Sequence, residues 1–395
     1  MPGESSPLRI LHIFRTPVGG LFRHVMDVAR GQIARGHAVG IVCDSSTGGA
    51  RAEAALEQIA PLLALGLSRF PMSRNPGPSD FAALKEVRRI VKERRPDILH
   101  GHGSKGGLYA RLPAFYDTSW PARIYTPHGG SFHFAGDAPR DKLYRLVEKI
   151  LLFKTSLFLM ESAYIARRAD QDIGPIKKPL VIVRNGVTDA EFEPVTQQPD
   201  AKDILYLGEM RVLKGVDTLL HALARLARDG RRLTALLVGA GPDEQNIRNA
   251  AQELGLSAQV TFSPPMPIRE ALSLAKVMVM PSRGESLPYV VLEAAAARMP
   301  LIATNVGGIP EIFGPFADRL VPPGEPGFLA ATIKNTFSKS EVERLTEAAA
   351  LAAHIRKNFS YDRMIEDGII AYRQALGPRH RDWPGRIKPS ATPFS

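Results

Sequence analysis

The sequence holds one cysteine, Cys43, in 395 residues. A single thiol cannot build an internal disulfide framework, and it fits a reducing compartment. No apolar run approaches the roughly 20 residues that span a bilayer. The nearest, ILLFKTSLFLM, is short, is broken by Lys154 and reads as a buried strand. The start, MPGESSPLRI, lacks a basic segment followed by an apolar one, so a secretory leader is not expected. The loop after the first predicted strand, RTPVGGLFRHV, is not a G-x-G-x-x-G fingerprint, which counts against a nicotinamide-dependent dehydrogenase. That alternative would use Asp44, at the end of the second predicted strand, as its ribose ligand. Aromatic residues make up 7% of the chain and form no stacking platform, and no recognition motif appears, so no nucleic-acid partner is expected.

What is present is an ordinary soluble composition, 44% hydrophobic and 23% charged, long enough for two or three domains. The net charge of +11 is unevenly placed: residues 1–185 hold 27 basic and 16 acidic side chains, and residues 186–395 hold 24 of each. A basic face of this kind suits nucleic acid, an anionic membrane surface or an acidic substrate.

The hydropathy pattern alternates between strand and helix periods. LRILHIF reads as a buried strand, LFRHVMDVARGQIARG as an amphipathic helix, and HAVGIVCD as the next strand. Helix SDFAALKEVRRIVKERR, with Ser79 as N-cap, and strands DILHGHG and RIYTPHG continue the series. A second series runs from ILYLGEM to LIAT, after a polar linker near residues 186–202. Such alternation predicts an α/β chain with two doubly wound, Rossmann-like units. The segments SEVERLTEAAALAAHIRKNF and SYDRMIEDGIIAYRQAL then predict two helices, and the Pro- and Arg-rich tail 377–395 reads as disordered.

The chemistry concentrates in RGESLPYVVLEAAAARMPLIATNVGGIPE, where Glu285 precedes an apolar helix and Glu293 lies inside it. An unpaired buried carboxylate costs several kcal/mol, so Glu293 must be exposed, paired or useful. Pro288 sits where the helix begins, and the backbone N–H groups of Ser286 and Leu287 stand near its N-terminus, ready for an anion. Glu285 falls in the loop at the carboxyl end of a parallel strand.

Two glutamates with seven residues between them, in this setting, resemble the signature of the retaining, nucleotide-sugar-dependent glycosyltransferases of the GT-B fold, family four. The resemblance covers about residues 8 to 376 and is strongest over 279–312. It implies two Rossmann-like domains with an interdomain cleft: an acceptor domain at 1–186, a donor domain at 187–359, and a C-terminal helix, 360–376, crossing back onto the first. By resemblance Glu285 holds hydroxyls of the donor sugar, Glu293 the ribose, and the amides around Ser286, Leu287 and Pro288 the sugar and diphosphate. YLGEMRVLKG resembles the opening of the donor domain, where a basic pair grips the diphosphate; Lys214 holds one place, and Arg211 takes the other because Glu209 stands where an arginine is usual. RTPVGGLFRHV resembles the glycine-rich first loop, with Gly19 and Gly20, and LVGAGPDE a nucleotide-side loop, with Gly239 and Gly241. YTPHGGSFHF places His128 near the donor sugar. LHGHGSKGGLYARL resembles members acting on lipid-linked or exopolysaccharide acceptors, with Ser104 and Lys105 in the loop.

His100, His102, His128 and His133 raise a metal site, but no Cys or carboxylate lies beside them at a ligand spacing, so none is expected. The implied activity is metal-independent transfer of a hexosyl or N-acetylhexosaminyl group, with retention, from a nucleotide-sugar, UDP-linked by commonest usage. The acceptor is a glycan or lipid-linked molecule of cell-surface polysaccharide or lipopolysaccharide synthesis. No cofactor is implied, since the nucleotide-sugar is a substrate. The setting is cytoplasmic, with the basic half on an anionic inner-membrane surface. A GT-B sugar-nucleotide epimerase remains the alternative of the same fold.

Overall fold

Near-continuous apolar runs have no solvent face, so strands made of them must be covered on both sides. In the computed structural model, which describes residues 6–112, 121–129 and 139–377, helices supply that cover. Strands β1 (Arg9–Phe14), β2 (Ala38–Asp44), β3 (Leu67–Phe70), β4 (Ile98–His102), β5 (Ala122–Thr126), β6 (Leu157–Met160) and β7 (Leu180–Ile182) form one parallel sheet, ordered β3-β2-β1-β4-β5-β6-β7. Between them run α1 (Gly19–Ala34), α2 (Gly49–Ile59), α3 (Ser79–Arg94), α4 (Gly103–Arg111), α5 (Pro139–Leu152) and α6 (Ala163–Ile173).

A second parallel sheet, ordered β10-β9-β8-β11-β12, joins β8 (Lys202–Leu207), β9 (Ala235–Val238), β10 (Val260–Ser263), β11 (Ala275–Met280) and β12 (Leu301–Ala303). Its helices are α7 (Val216–Arg228), α8 (Glu244–Glu253), α9 (Ile268–Ser273), α10 (Tyr289–Ala296), α11 (Ile309–Phe313), α12 (Pro326–Ser338) and α13 (Glu341–Asn358). The last helix, α14 (Tyr361–Leu376), returns to the first lobe, where Met364, Ile365, Ile369 and Tyr372 pack with Ile10, Ile98, Ile124 and Leu157. The two crossings between lobes lie side by side, with Val187 paired to Ser360.

Local readings shift in four places. ILLFKTSLFLM is not one strand: its first half ends α5, Phe153–Ser156 turn, and only Leu157–Met160 is extended. Ser79 and Pro288 each miss their assigned cap position by one residue. Ser79 is the first helical residue of α3 behind Pro78, and Pro288 is the N-cap of α10 rather than its first turn. Ser104 and Lys105 lie not in a loop but in the first turn of α4. Of the tail 377–395, only Gly377 falls within the described residues; 378–395 lie outside them.

Candidate functional site

Each sheet reverses its strand order beside its own first strand, between β1 and β4 in the first lobe and between β8 and β11 in the second. Ligands of open α/β sheets bind beyond the carboxyl ends of the strands at such a point. In the second lobe the loops that leave β8 and β11 there carry Lys214 and Glu285.

Lys214 ends a tight turn, Val212–Lys214, and Gly215 follows with φ 66°. A Cβ on Gly215 would stand 2.0 Å from the Pro281 carbonyl oxygen, so only glycine lets this turn rest on the loop after β11. The packing sets Lys214 Nζ 2.7 Å from Glu285 Oε1, which also accepts from the Ser282 hydroxyl at 2.7 Å. Glu285 is buried. Arg211 stands on the same turn and is partly exposed, and its partner is Glu209 at 3.5 Å. Gly239 and Gly241 lie behind them: added Cβ atoms would meet the Gly208 and Met210 carbonyl oxygens at 1.9 and 2.3 Å. Backbone packing against the Lys214 loop is thus sufficient reason for both glycines.

At the head of α10, the Leu287 carbonyl accepts from Asn185 Nδ2 at 2.8 Å and the Ser286 carbonyl from the Gly308 N–H at 2.6 Å. The Ser286 hydroxyl donates across the cleft to Glu161, at the end of β6. Glu161 is 1% exposed, its Oε2 has no hydrogen-bond partner among the described residues, and burial raises its pKa. This residue escaped the sequence reading. Its signal was a carboxylate directly after the apolar strand LFLM; Glu285 likewise lies beyond the carboxyl end of a parallel strand, five residues past β11.

Glu293 is partly buried, its side chain 14% exposed, and it is paired with a partner from the other lobe. Arg23 of α1 contacts Glu293 and Glu191, lies 3.3 Å from Asp27, and stacks 4.4 Å over the Tyr289 ring. Burial pushes the Glu293 carboxyl up to about 7, with Arg23 pulling it down. Gly19 opens α1, and Gly20 faces Tyr289, whose Cδ2 would lie 3.8 Å from a Cβ there. The glycine-rich loop of one lobe therefore meets the candidate donor helix of the other.

His128, with φ 50°, is partly exposed and belongs to a cluster that spacing did not reveal. His12 and His102 are on neighbouring strands β1 and β4, in register Phe14 to His102 and His12 to His100, and α1 adds His24. His12 Nδ1 is 2.9 Å from His102 Nε2, and His102 Nδ1 is 3.0 Å from His128 Nε2. His24 Nδ1 is 3.0 Å from Asn185 Oδ1 and 3.2 Å from the Tyr289 hydroxyl. Burial holds His12 and His24 near 4 and the other three well below the usual histidine range, so all five are neutral at pH 7. Ring nitrogens of His12, His100 and His102, and of His24, His102 and His128, lie within 4.8 Å of one another, a spacing that could also take a metal ion. His133 lies outside the described residues.

Two expected side chains have structural partners. Lys105 Nζ is 2.5 Å from Asp80 Oδ1, within the first lobe, and Ser104 beside it is half-buried. Asp44 accepts from Ser46, Thr47 and the Met72 N–H, at 2.6–2.9 Å, so its carboxylate is saturated and is no free ribose ligand.

Comparison with known proteins agrees with this geometry. The family described as Glycosyl transferases group 1 matches residues 187–352, and that described as Glycosyltransferase Family 4 matches residues 18–191. The D-inositol 3-phosphate glycosyltransferase of Corynebacterium efficiens is 31% identical over 297 residues, 67% of this chain and 68% of that protein. The sucrose-phosphate synthase structure from Thermosynechococcus elongatus superposes with TM-score 0.77 at 20% identity, covering 93% of this chain and 98% of that one. The Anabaena protein HepE, solved with UDP-glucose, superposes with TM-score 0.73 at 18% identity, covering 91% and 97%. The two lobes and their facing loops are therefore those of a GT-B fold, and the chain belongs to the group 1 glycosyltransferases.

Proposed function

We propose that the chain is a retaining, metal-independent hexosyl- or N-acetylhexosaminyl-transferase, moving a sugar from a UDP-sugar to a glycan or lipid-linked acceptor of cell-surface polysaccharide synthesis. The observation that carries the reading is the Lys214–Glu285 pair at the head of α10, next to Ser286, whose hydroxyl meets Glu161 of the other lobe beside the His128 backbone. The diphosphate rests on Lys214 and the α10 amides, with Arg211 swinging in from solvent. The donor sugar lies against Glu285 and His128. Glu293 keeps Arg23 and meets the ribose with its second oxygen.

In the transfer, the bond between the anomeric carbon and the diphosphate oxygen breaks with its electron pair going to the phosphate. Lys214 and the helix amides stabilise that growing charge. The acceptor hydroxyl bonds to the same face of the sugar, and its proton passes to the departing phosphate oxygen. No cofactor enters. The HepE complex with UDP-glucose supports the choice of a uridine nucleotide.

The first lobe docks at an anionic inner-membrane surface, where a lipid-linked acceptor lies. Two features support this: the whole excess of positive charge falls in residues 1–185, and α5 carries an exposed apolar stripe. Leu143, Leu146, Ile150 and the following Phe153 are 51 to 79% exposed at helical spacing, with exposed Lys142 and Lys149 beside them. Among the described residues no helix is long and apolar enough to cross a membrane.

Thermal-shift screening with UDP-, GDP- and ADP-sugars tests the donor assignment. One nucleotide class is expected to raise Tm, and Glu285→Ala and Lys214→Ala should each weaken the shift. No shift with any nucleotide would overturn the reading.

A further inference from the structure

The polar layer under β1 and β4 fixes more than packing. Gln32 of α1 lies between Tyr372 of α14 and His12 of β1. Its Nε2 donates to the Tyr372 hydroxyl at 3.2 Å, so Oε1 is the atom 2.9 Å from His12 Nε2. A carbonyl oxygen only accepts, so His12 carries its proton on Nε2 and leaves Nδ1 bare. That bare nitrogen faces His102 Nε2 at 2.9 Å, which must then be the N–H. His102 Nδ1 is bare in turn and faces His128 Nε2 at 3.0 Å. His128 therefore carries its proton on Nε2.

The other end closes consistently. The Tyr372 hydroxyl, having accepted from Gln32, donates to His100 Nδ1 at 2.6 Å, and His100 Nε2–H donates to the Thr126 hydroxyl at 2.8 Å. Along Gln32, His12, His102 and His128, reversing one member alone would set two donors or two lone pairs face to face in a buried layer. The consistent alternative for that run reverses its three histidine protons together and requires the Gln32 amide to turn over, whereas His100 can reverse by itself because the Tyr372 and Thr126 hydroxyls both donate and accept. The orientation of one amide thus selects the state of the run that ends at His128.

We infer that Gln32, His12 and His102 are positioning residues for transfer: they hold His128 neutral, with the lone pair of Nδ1 as its free acceptor for a hydroxyl of the donor sugar. This rests on the glycosyltransferase reading and on the place it gives His128. His128 is the partly exposed member of the chain, and its Nδ1 has no partner among the described residues. The direction of that hydrogen bond matters electronically. A sugar hydroxyl that donates to imidazole becomes richer in electron density and steadies the positive charge developing on the ring. A hydroxyl that accepts from an N–H is depleted and opposes it. The effect grows toward the transition state, so it should fall on kcat rather than on donor KM.

The test is histidine-selective 15N NMR on the ligand-free chain, with the His128 signals assigned by their loss in His128→Asn. Wild type is expected to show a bare Nδ1 and a protonated Nε2 at His128. Gln32→Leu, and separately Tyr372→Phe, which frees the Gln32 amide, should give mixed tautomers there. With the donor identified by thermal shift, kcat should fall about tenfold and donor KM stay within about twofold. A proton on Nδ1 in wild type, or variants with unchanged tautomers, would overturn the inference. So would selective broadening of His12, His102 and His128 by added Co2+, which would make the cluster a metal site. The spectra need no turnover, so failure of every nucleotide to bind would remove the glycosyltransferase reading and leave the proton arrangement standing.

Discussion

Glu293 answers to two opposed demands, a charge partner in Arg23 and a buried setting that disfavours charge. With its carboxyl raised from 4.5 to about 7, the folded chain binds a proton across that interval which the unfolded chain has released. Its contribution therefore favours folding on the acid side and is lost as pH rises through 7. Glu293→Gln should gain stability relative to wild type between pH 5.5 and 8. Urea midpoints at those two values check this, and an unchanged difference between the two proteins would refute it. Arg23→Ala acts in the opposite sense, leaving three acids without their cation. Removing one partner of a fully buried pair costs about 3–5 kcal/mol; this pair is partly exposed, so a smaller loss and a drop in Tm of a few degrees are expected.

At the scale of elements, the histidine layer joins β1 and β4 to α1 and α14. Its linkage runs against that of Glu293. His12 and His24 sit near 4 in the folded chain against 6.5 when free, so the unfolded state binds the extra protons and stability falls as pH drops through that window. At pH 5 each of these two costs about 2 kcal/mol. Wild type is expected to lose stability steeply below pH 6.5, and His24→Asn should flatten the loss, read by urea unfolding at pH 7 and 5. A second element-level contact is Glu311, which accepts from the Ala163 and Tyr164 N–H groups at 3.1 and 2.8 Å and so caps α6 from the other lobe. Glu311→Ala should cost about 1 kcal/mol and increase the radius of gyration in X-ray scattering as the lobes part.

Much of the element plan was legible because period and punctuation agree: β11, its turn and α10 follow directly from VMVMPS, Gly284 and the apolar run. Single-residue caps were not, since Pro288 and Pro78 each compete with a neighbour for the same turn. The grouping of the second-lobe candidate residues was also legible, because Glu285, Ser286 and Leu287 are contiguous and Lys214 precedes a glycine. The first-lobe half was not. His12, His24, Gln32, Glu161 and Tyr372 are scattered over some 360 positions, and only strand order and the return of α14 bring them near His128. A histidine inside LRILHIF violates the apolar pattern of its strand, and that violation was the available warning.

At the scale of the molecule, charge and apolar surface coincide on the first lobe. Liposome flotation should show binding to anionic vesicles at low salt, weaker binding to neutral ones, and a loss in Leu146→Glu/Ile150→Glu. Equal binding to both vesicle types, or none to either, would count against membrane docking.

The twin crossings between lobes bear on how the enzyme can be divided. A Cβ on Gly186 would stand 2.4 Å from the Ser360 carbonyl oxygen, so the outgoing and returning chains touch at the pivot. A fragment ending there would keep every strand of its sheet yet lose the helix that seals Ile10, Ile98 and Leu157, and with it the tyrosine that anchors the proton order. Neither half can be expressed as a self-sufficient module by cutting once; a split enzyme would have to carry residues 360–376 grafted behind 186.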